Sequence, residues 1–110
     1  MFNGCKYLVK VPELPATKLA TSCYEYMFNG CSSLTTIPSN LLPATKLGRY
    51  CYDHMFSGCT SLTTVPNLPA TKLRAYCYQY MFNGCTSLTT VPSNLLPVTT
   101  LANYCYTGMF

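Results

Sequence analysis

The amino-acid sequence predicts a repeat solenoid of α/β character, with short parallel strands along one side and short helices along the other. Three observations predict it. Met-Phe recurs at Met1, Met27, Met55, Met81 and Met109, in steps of 26, 28, 26 and 28 residues. Gly-Cys pairs recur in the same register at Cys5, Cys31, Cys59 and Cys85, and Cys-Tyr pairs at Cys23, Cys51, Cys77 and Cys105. Within each repeat the hydrophobic spacing changes midway from a compact β-branched run to a four-residue step. The 110 residues therefore read as one domain, 1–110, made of repeats 1–26, 27–54, 55–80 and 81–108, with 109–110 opening a fifth.

The elements of a rung follow in order. Leu62-Thr-Thr-Val65 is short and β-branched and is stopped by Pro66, which cannot donate to a ladder. It is expected to be a strand. A proline turn follows, reading V-P-x-L-P in odd repeats (Val11 to Pro15, Val65 to Pro69) and I/V-P-S-N-L-L-P in even ones (Ile37 to Pro43, Val91 to Pro97). The two extra residues of the even repeats all fall there, as in a surface loop that lengthens without disturbing a stack. From Thr71, a plausible N-cap, Leu73, Cys77, Met81 and Cys85 are spaced by four with Phe82 beside them, which predicts a short helix. Asn83-Gly84 would stop it, with Gly4, Gly30 and Gly58 in the same role.

A unit of this size buries too little alone, so neighbouring rungs must share one core. The expected core columns are Leu8/Leu34/Leu62/Leu88, Val11/Ile37/Val65/Val91, Leu19/Leu47/Leu73/Leu101 and Phe2/Phe28/Phe56/Phe82.

Composition narrows the function. Charged residues make up 9% of the chain against a usual quarter, with one histidine and three acids, Glu13, Glu25 and Asp53. One histidine excludes a His-rich metal site, and three acids leave little room for a carboxylate dyad or a hard-cation cage. Zinc is disfavoured as well, because the chain has neither a C-x-x-C nor a histidine pair. No catalytic, cofactor-binding or metal-ligating residue is therefore assigned, and no cofactor is expected. A net charge of +4 is too small and scattered to argue for nucleic acid. No apolar stretch approaches the ~18 residues of a membrane span.

The eight cysteines are an even set, which in a secreted chain favours disulfides. Helical spacing argues the other way. Cys23 and Cys31, or Cys77 and Cys85, would lie roughly 12 Å apart on one helix, beyond the ~7 Å limit of a bridge. Bridges along a column, such as Cys51 to Cys77, would need helices closer than the usual 8–10 Å. Buried free thiols acting as small hydrophobes are the favoured reading, while a cross-rung bridge such as Cys59 to Cys77 is compatible with the spacing.

Other features have ordinary readings. Cys51, Asp53 and His54 could form a thiolate–imidazole pair, but His54 stands where Tyr26 and Tyr80 stand in other rungs and Gly108 in the fourth. It reads as drift at a surface position. The prolines of Pro12-x-x-Pro15 and Pro66-x-x-Pro69 are turn residues. The threonine columns (Thr35, Thr63, Thr89 and Thr36, Thr64, Thr90) suit an exposed strand face, and the Lys18, Lys46 and Lys72 column a solvated edge that Thr100 ends.

The string C-x-x-L-x-x-V/I-P…L-P-x-x-x-L-x-x-x-C-Y-x-x-M-F-x-G-C is carried by Cys59, Leu62, Val65, Leu68, Leu73, Cys77, Met81, Phe82 and Cys85. It closely resembles the BspA-type leucine-rich repeats of bacterial surface proteins, over essentially the whole chain. It departs from the common leucine-rich pattern in lacking a regular asparagine ladder and in having Met-Phe where many relatives have Ala-Phe. The resemblance implies a solenoid with strands on the concave side, an extracellular or cell-surface and often adhesive role, and no catalysis.

Two functions are expected of such a chain. One is a structural array or filament; the other is an adhesin binding a host protein or glycan through one face. The sequence begins inside a repeat at Met1 and ends inside another at Phe110, and no charge occurs from Ala75 onward. Head-to-tail self-association, or continuation of a longer array, is the expected partnership, with no membrane insertion. Near-identity of the rungs favours the array, because an irregular ligand needs rung-specific side chains.

Overall fold

The computed structural model describes residues 2–91, 95, 105 and 107–110. Successive rungs stack in register. Each rung is stitched to the next by backbone hydrogen bonds at equivalent positions: Phe2 N–H to Met27 O, Phe28 to Met55, Phe56 to Met81 and Phe82 to Met109, all between 2.7 and 2.9 Å. The repeat solenoid expected from the Met-Phe period is the arrangement observed.

The layout within a rung differs from the expected strand and helix. Among the described residues no helix forms, and strand pairing is confined to isolated parallel bridges, Lys18 with Lys46 and Lys46 with Lys72. Thr71, expected to cap a helix, immediately precedes one of these bridging residues. The expected strand Leu62–Val65 touches its neighbour through Thr63, whose N–H and hydroxyl both donate to Thr35 O, at 2.9 and 3.0 Å.

Where the helix was expected, the chain forms a ribbon of consecutive tight turns. Cys23, Glu25, Met27, Asn29 and Cys31 each donate N–H to the carbonyl three residues back. Most of the alternate residues point their N–H groups at the next rung: Ser22 to Arg49 O, Tyr26 to Asp53 O, Phe28 to Met55 O and Gly30 to Ser57 O, while Tyr52 and Tyr78 donate back to Cys23 O and Cys51 O of the preceding rung. Ser22, Tyr24, Tyr26 and Gly30 have φ between 57° and 76°, the sign a type II turn requires at its third residue. The later rungs repeat this at Tyr50, Tyr52 and His54 and at Tyr76, Tyr78 and Tyr80. Left-handed backbone costs an ordinary residue about 1–2 kcal/mol, so something must offset it.

Rung spacing supplies the offset. Paired strands lie ~4.8 Å apart whereas packed helices need about 8–10 Å. A helix on one side would force strongly divergent rungs and spend every amide on itself. The turn ribbon stacks nearly as closely as the bridged side and gives alternate amides to the neighbour. Its side chains stack too. The rings of Phe2, Phe28, Phe56, Phe82 and Phe110 form one column with centroids 5.4–5.6 Å apart, and Tyr24, Tyr52 and Tyr78 form another.

Most of the expected core columns are buried: Leu34 and Leu62, Leu19, Leu47 and Leu73, Ile37, and Phe28, Phe56 and Phe82. Leu8, Leu88, Val11, Val65 and Phe2 pack against the core half-buried. Val91, the last member of its column, is 46% exposed and stands outside the core; Leu101 lies outside the described residues. Met27, Met55, Met81 and Met109, together with Tyr52 and Tyr78, are buried as well.

All eight cysteines are free. Five thiols donate to a carbonyl of the preceding rung at 3.1–3.3 Å: Cys31 to Phe2, Cys51 to Ala20, Cys59 to Phe28, Cys77 to Gly48 and Cys85 to Phe56.

Candidate functional site

The parallel bridges place Lys18, Lys46 and Lys72 in a straight, solvent-exposed ladder across three rungs. Their register is fixed by the backbone. Lys46 N–H donates to Thr17 O at 3.3 Å and Leu19 N–H donates to Lys46 O at 2.9 Å, while Leu19, Leu47 and Leu73 beside them are buried. Alternation along an extended segment then turns each lysine outward. Thr45, Lys46, Leu47, Thr71, Lys72 and Arg74 line a cleft of about 450 Å³ along this ladder, and Arg49 is exposed in the adjoining turn. The solvated lysine edge read from the sequence thus holds a cationic groove at Lys46 and Lys72, with Lys18 one rung further along the ladder.

The Cys51, Asp53 and His54 cluster resolves differently from a thiolate–imidazole pair. The Cys51 thiol is committed to Ala20 O at 3.2 Å, and burial pushes it up to about 12. That is the environment of an inert structural thiol. His54 donates from Nδ1 to Asp53 Oδ1 at 2.7 Å, and its ring lies between Tyr26 and Tyr80 with centroids 4.5 and 4.8 Å away.

Asp53 is 3% exposed, the one charged residue buried among those described. Gln79 Nε2, one rung on, also donates to its Oδ1, at 3.4 Å. The adjacency of Asp53 and His54 in a chain with three acids was the available signal for this pair. The arrangement locks His54 into the aromatic column; it brings no nucleophile to the imidazole.

A second cleft, of about 370 Å³, lies in the proline turns between Pro12, Leu14, Pro15, Pro38, Leu41 and Pro43. It is mostly apolar, with Glu13 and Asn40 at its walls. Among the described residues no group of three or more His, Cys, Asp or Glu side chains could hold a metal ion, and no helix is long and apolar enough to cross a membrane.

Rungs in register, a leucine-lined shared core and an exposed ladder of identical side chains define a repeat protein of the leucine-rich type. The chain belongs to the BspA-type leucine-rich repeat family, whose model matches residues 1–109 in six copies. The family model's six copies stand against four Met-Phe rungs read from the sequence. No curated protein and no solved structure matches the chain. The family is one of bacterial surface repeat proteins.

Proposed function

We propose that the chain is a non-enzymatic scaffold outside the cell or on its surface, whose work is done by stacked rungs: a structural array or filament in which the solenoid continues end to end. The observation that carries this reading is the sameness of the rung-to-rung contact. The same Phe-to-Met amide–carbonyl bond and the same phenylalanine stack join each rung to its neighbour, so one rung can follow another indefinitely, in the same chain or the next. A contact of this head-to-tail kind propagates unless curvature closes it. The inert Cys51 thiol and the structurally committed His54 support a role without catalysis. Electron microscopy of native material tests the proposal. Fibres with an axial repeat that is a multiple of two rungs, roughly 10 Å per pair, are expected. Discrete particles that stay monomeric at high concentration would overturn it.

The second reading, an adhesin that binds through one face, is favoured by the cationic groove, which is the most distinctive exposed feature among the described residues.

A further inference from the structure

Five of the seven cationic residues, Lys18, Lys46, Arg49, Lys72 and Arg74, fall within four positions of the bridge point of their rungs, and all five are exposed. The three lysines are directly opposed by the parallel bridges, which sets their backbones ~4.8 Å apart. Like charges directly opposite across paired strands are destabilising. Among the described residues no ion pair relieves that repulsion. Of the three acids, Asp53 is buried and engaged by His54 and Gln79, Glu13 lies at the proline-turn cleft, and Glu25 forms no ion pair, His54–Asp53 being the only one among the described residues. The groove is therefore a line of unneutralised positive charge with the period of the rungs.

Its complement is a line of negative charge with a similar period. One strand of a DNA duplex advances 3.4 Å per phosphate and falls out of step within a few rungs. Single strands want free aromatic faces, and the tyrosines next to the ladder, Tyr50 and Tyr76, stack on each other with centroids 4.5 Å apart. A sugar ring is about as long as one rung step. Lysine ammonium groups are flexible point charges, suited to carboxylates that recur along a polymer. Thr17 and Thr45, both exposed beside the lysines, add hydroxyls that can bond to sugar hydroxyls.

We propose that this groove binds a linear anionic polysaccharide bearing one carboxylate per sugar, laid along the solenoid axis over Lys18, Lys46 and Lys72. The assignment deepens the adhesive reading above and rests on it, not on the filament.

The test is calorimetric titration of the whole chain with polygalacturonate, with dextran of similar length as the neutral polymer and polyphosphate and single-stranded DNA as alternative polyanions. Binding of polygalacturonate but not dextran is expected, weakening about tenfold or more from about 50 to about 200 mM salt. The triple variant K18Q/K46Q/K72Q should lose about tenfold or more in affinity while keeping its thermal midpoint, because the three side chains are exposed. Lys46→Gln alone should lose about threefold. The control K6Q/K10Q, which removes the two lysines outside the groove, should stay within about twofold of the parent.

A triple variant that binds like the parent, equal binding of dextran, or tighter binding of polyphosphate or DNA would each overturn the assignment. Microscopy separates this from the filament proposal. Dispersed monomers that bind polygalacturonate keep the groove and remove the filament; fibres that ignore it do the reverse.

Discussion

The Cys59 thiol donates to the carbonyl oxygen of Phe28, one rung back, at 3.2 Å, and the same oxygen accepts the backbone N–H of Cys31 at 3.1 Å. One carbonyl thus closes a local turn and anchors the next rung. Cys85 repeats this on Phe56 O, which also receives Cys59 N–H. The position asks for a donor one atom beyond Cβ that is otherwise apolar enough to be buried, and among side chains cysteine best satisfies both demands.

Cys59→Ala removes that donor and leaves a small void. A cost of about 1–3 kcal/mol is expected from the lost bond and the lost packing together. Cys59→Ser keeps a donor of similar reach and should cost less than alanine. Urea denaturation midpoints of the two variants measure the order; an alanine variant as stable as the parent would show the thiol bonds to be incidental.

The same burial sets a pH dependence. It pushes Cys51 and Cys59 from the ordinary 9.0 up to about 12 and Cys85 to about 11. In the unfolded chain these thiols ionise near 9.0, while the folded state keeps them protonated, so between those values the unfolded state has fewer protons. Stability contributed by these groups is full below pH 9 and declines as pH rises toward 11–12. Unfolding midpoints followed from pH 8 to 11 should fall in that direction. Thiol counting adds a second measure: in the native protein exposed Cys5 labels readily and the six buried thiols slowly, and close to eight thiols per chain react in denaturant without reductant. Four or fewer would indicate disulfides.

Gly48 shows how closely the rungs approach. A Cβ built there would lie 2.5 Å from Ala20 C and 2.6 Å from Thr21 N, both backbone atoms that cannot swing away. Gly48→Ala should therefore push the first two rungs apart, at about 1–3 kcal/mol, and weaken the nearby Thr45 and Lys46 bonds to Thr17 O. The expected readout is a lower thermal midpoint together with faster amide exchange at Lys46. An unchanged midpoint would mean that the two rungs are less tightly apposed than the backbone distances imply.

The register and most of the core columns were legible in the sequence because each depends only on recurrence and on burying apolar side chains. The local backbone was not. The four-residue step Leu73, Cys77, Met81, Cys85 was read as a helix, yet over the eight residues from Cys77 to Cys85 a helix rotates about 80° past two whole turns, and both cysteines are buried. A true period of four, made by alternating turn and inter-rung amides, brings them back to the same face. Tyrosines at left-handed φ, as at Tyr76, Tyr78 and Tyr80, gave no sign of it, since that conformation is ordinarily left to glycine or asparagine. The lysine groove was hidden for the same reason. The bridges form at Lys18, Lys46 and Lys72, on residues assigned to a helix start, so the column looked like a fringe.

The turn ribbon offers a test of what offsets its left-handed residues. Tyr50 and Tyr76 sit at φ 62° and 65° and stack face to face at 4.5 Å, with their planes 1° apart. Ser22 holds the equivalent place one rung earlier, at φ 63°, and its N–H makes the equivalent inter-rung bond to Arg49 O at 2.7 Å. The backbone there is already shaped as at Tyr50, and Ser22 is exposed, so Ser22→Tyr requires no rearrangement of the chain. A third ring would extend the column, worth about 0.5–1.5 kcal/mol beyond simple burial. Against this stands the Arg49 guanidinium, 6.0 Å from the Tyr50 ring centre, whose displacement would cost about 0.5–1 kcal/mol. A small net gain and a higher thermal midpoint are expected. Ser22→Leu, apolar but without a ring, should gain less. If leucine matches tyrosine, or if neither raises the midpoint, ring stacking is not what holds the alternating φ signs in place, and the inter-rung amides alone must do so.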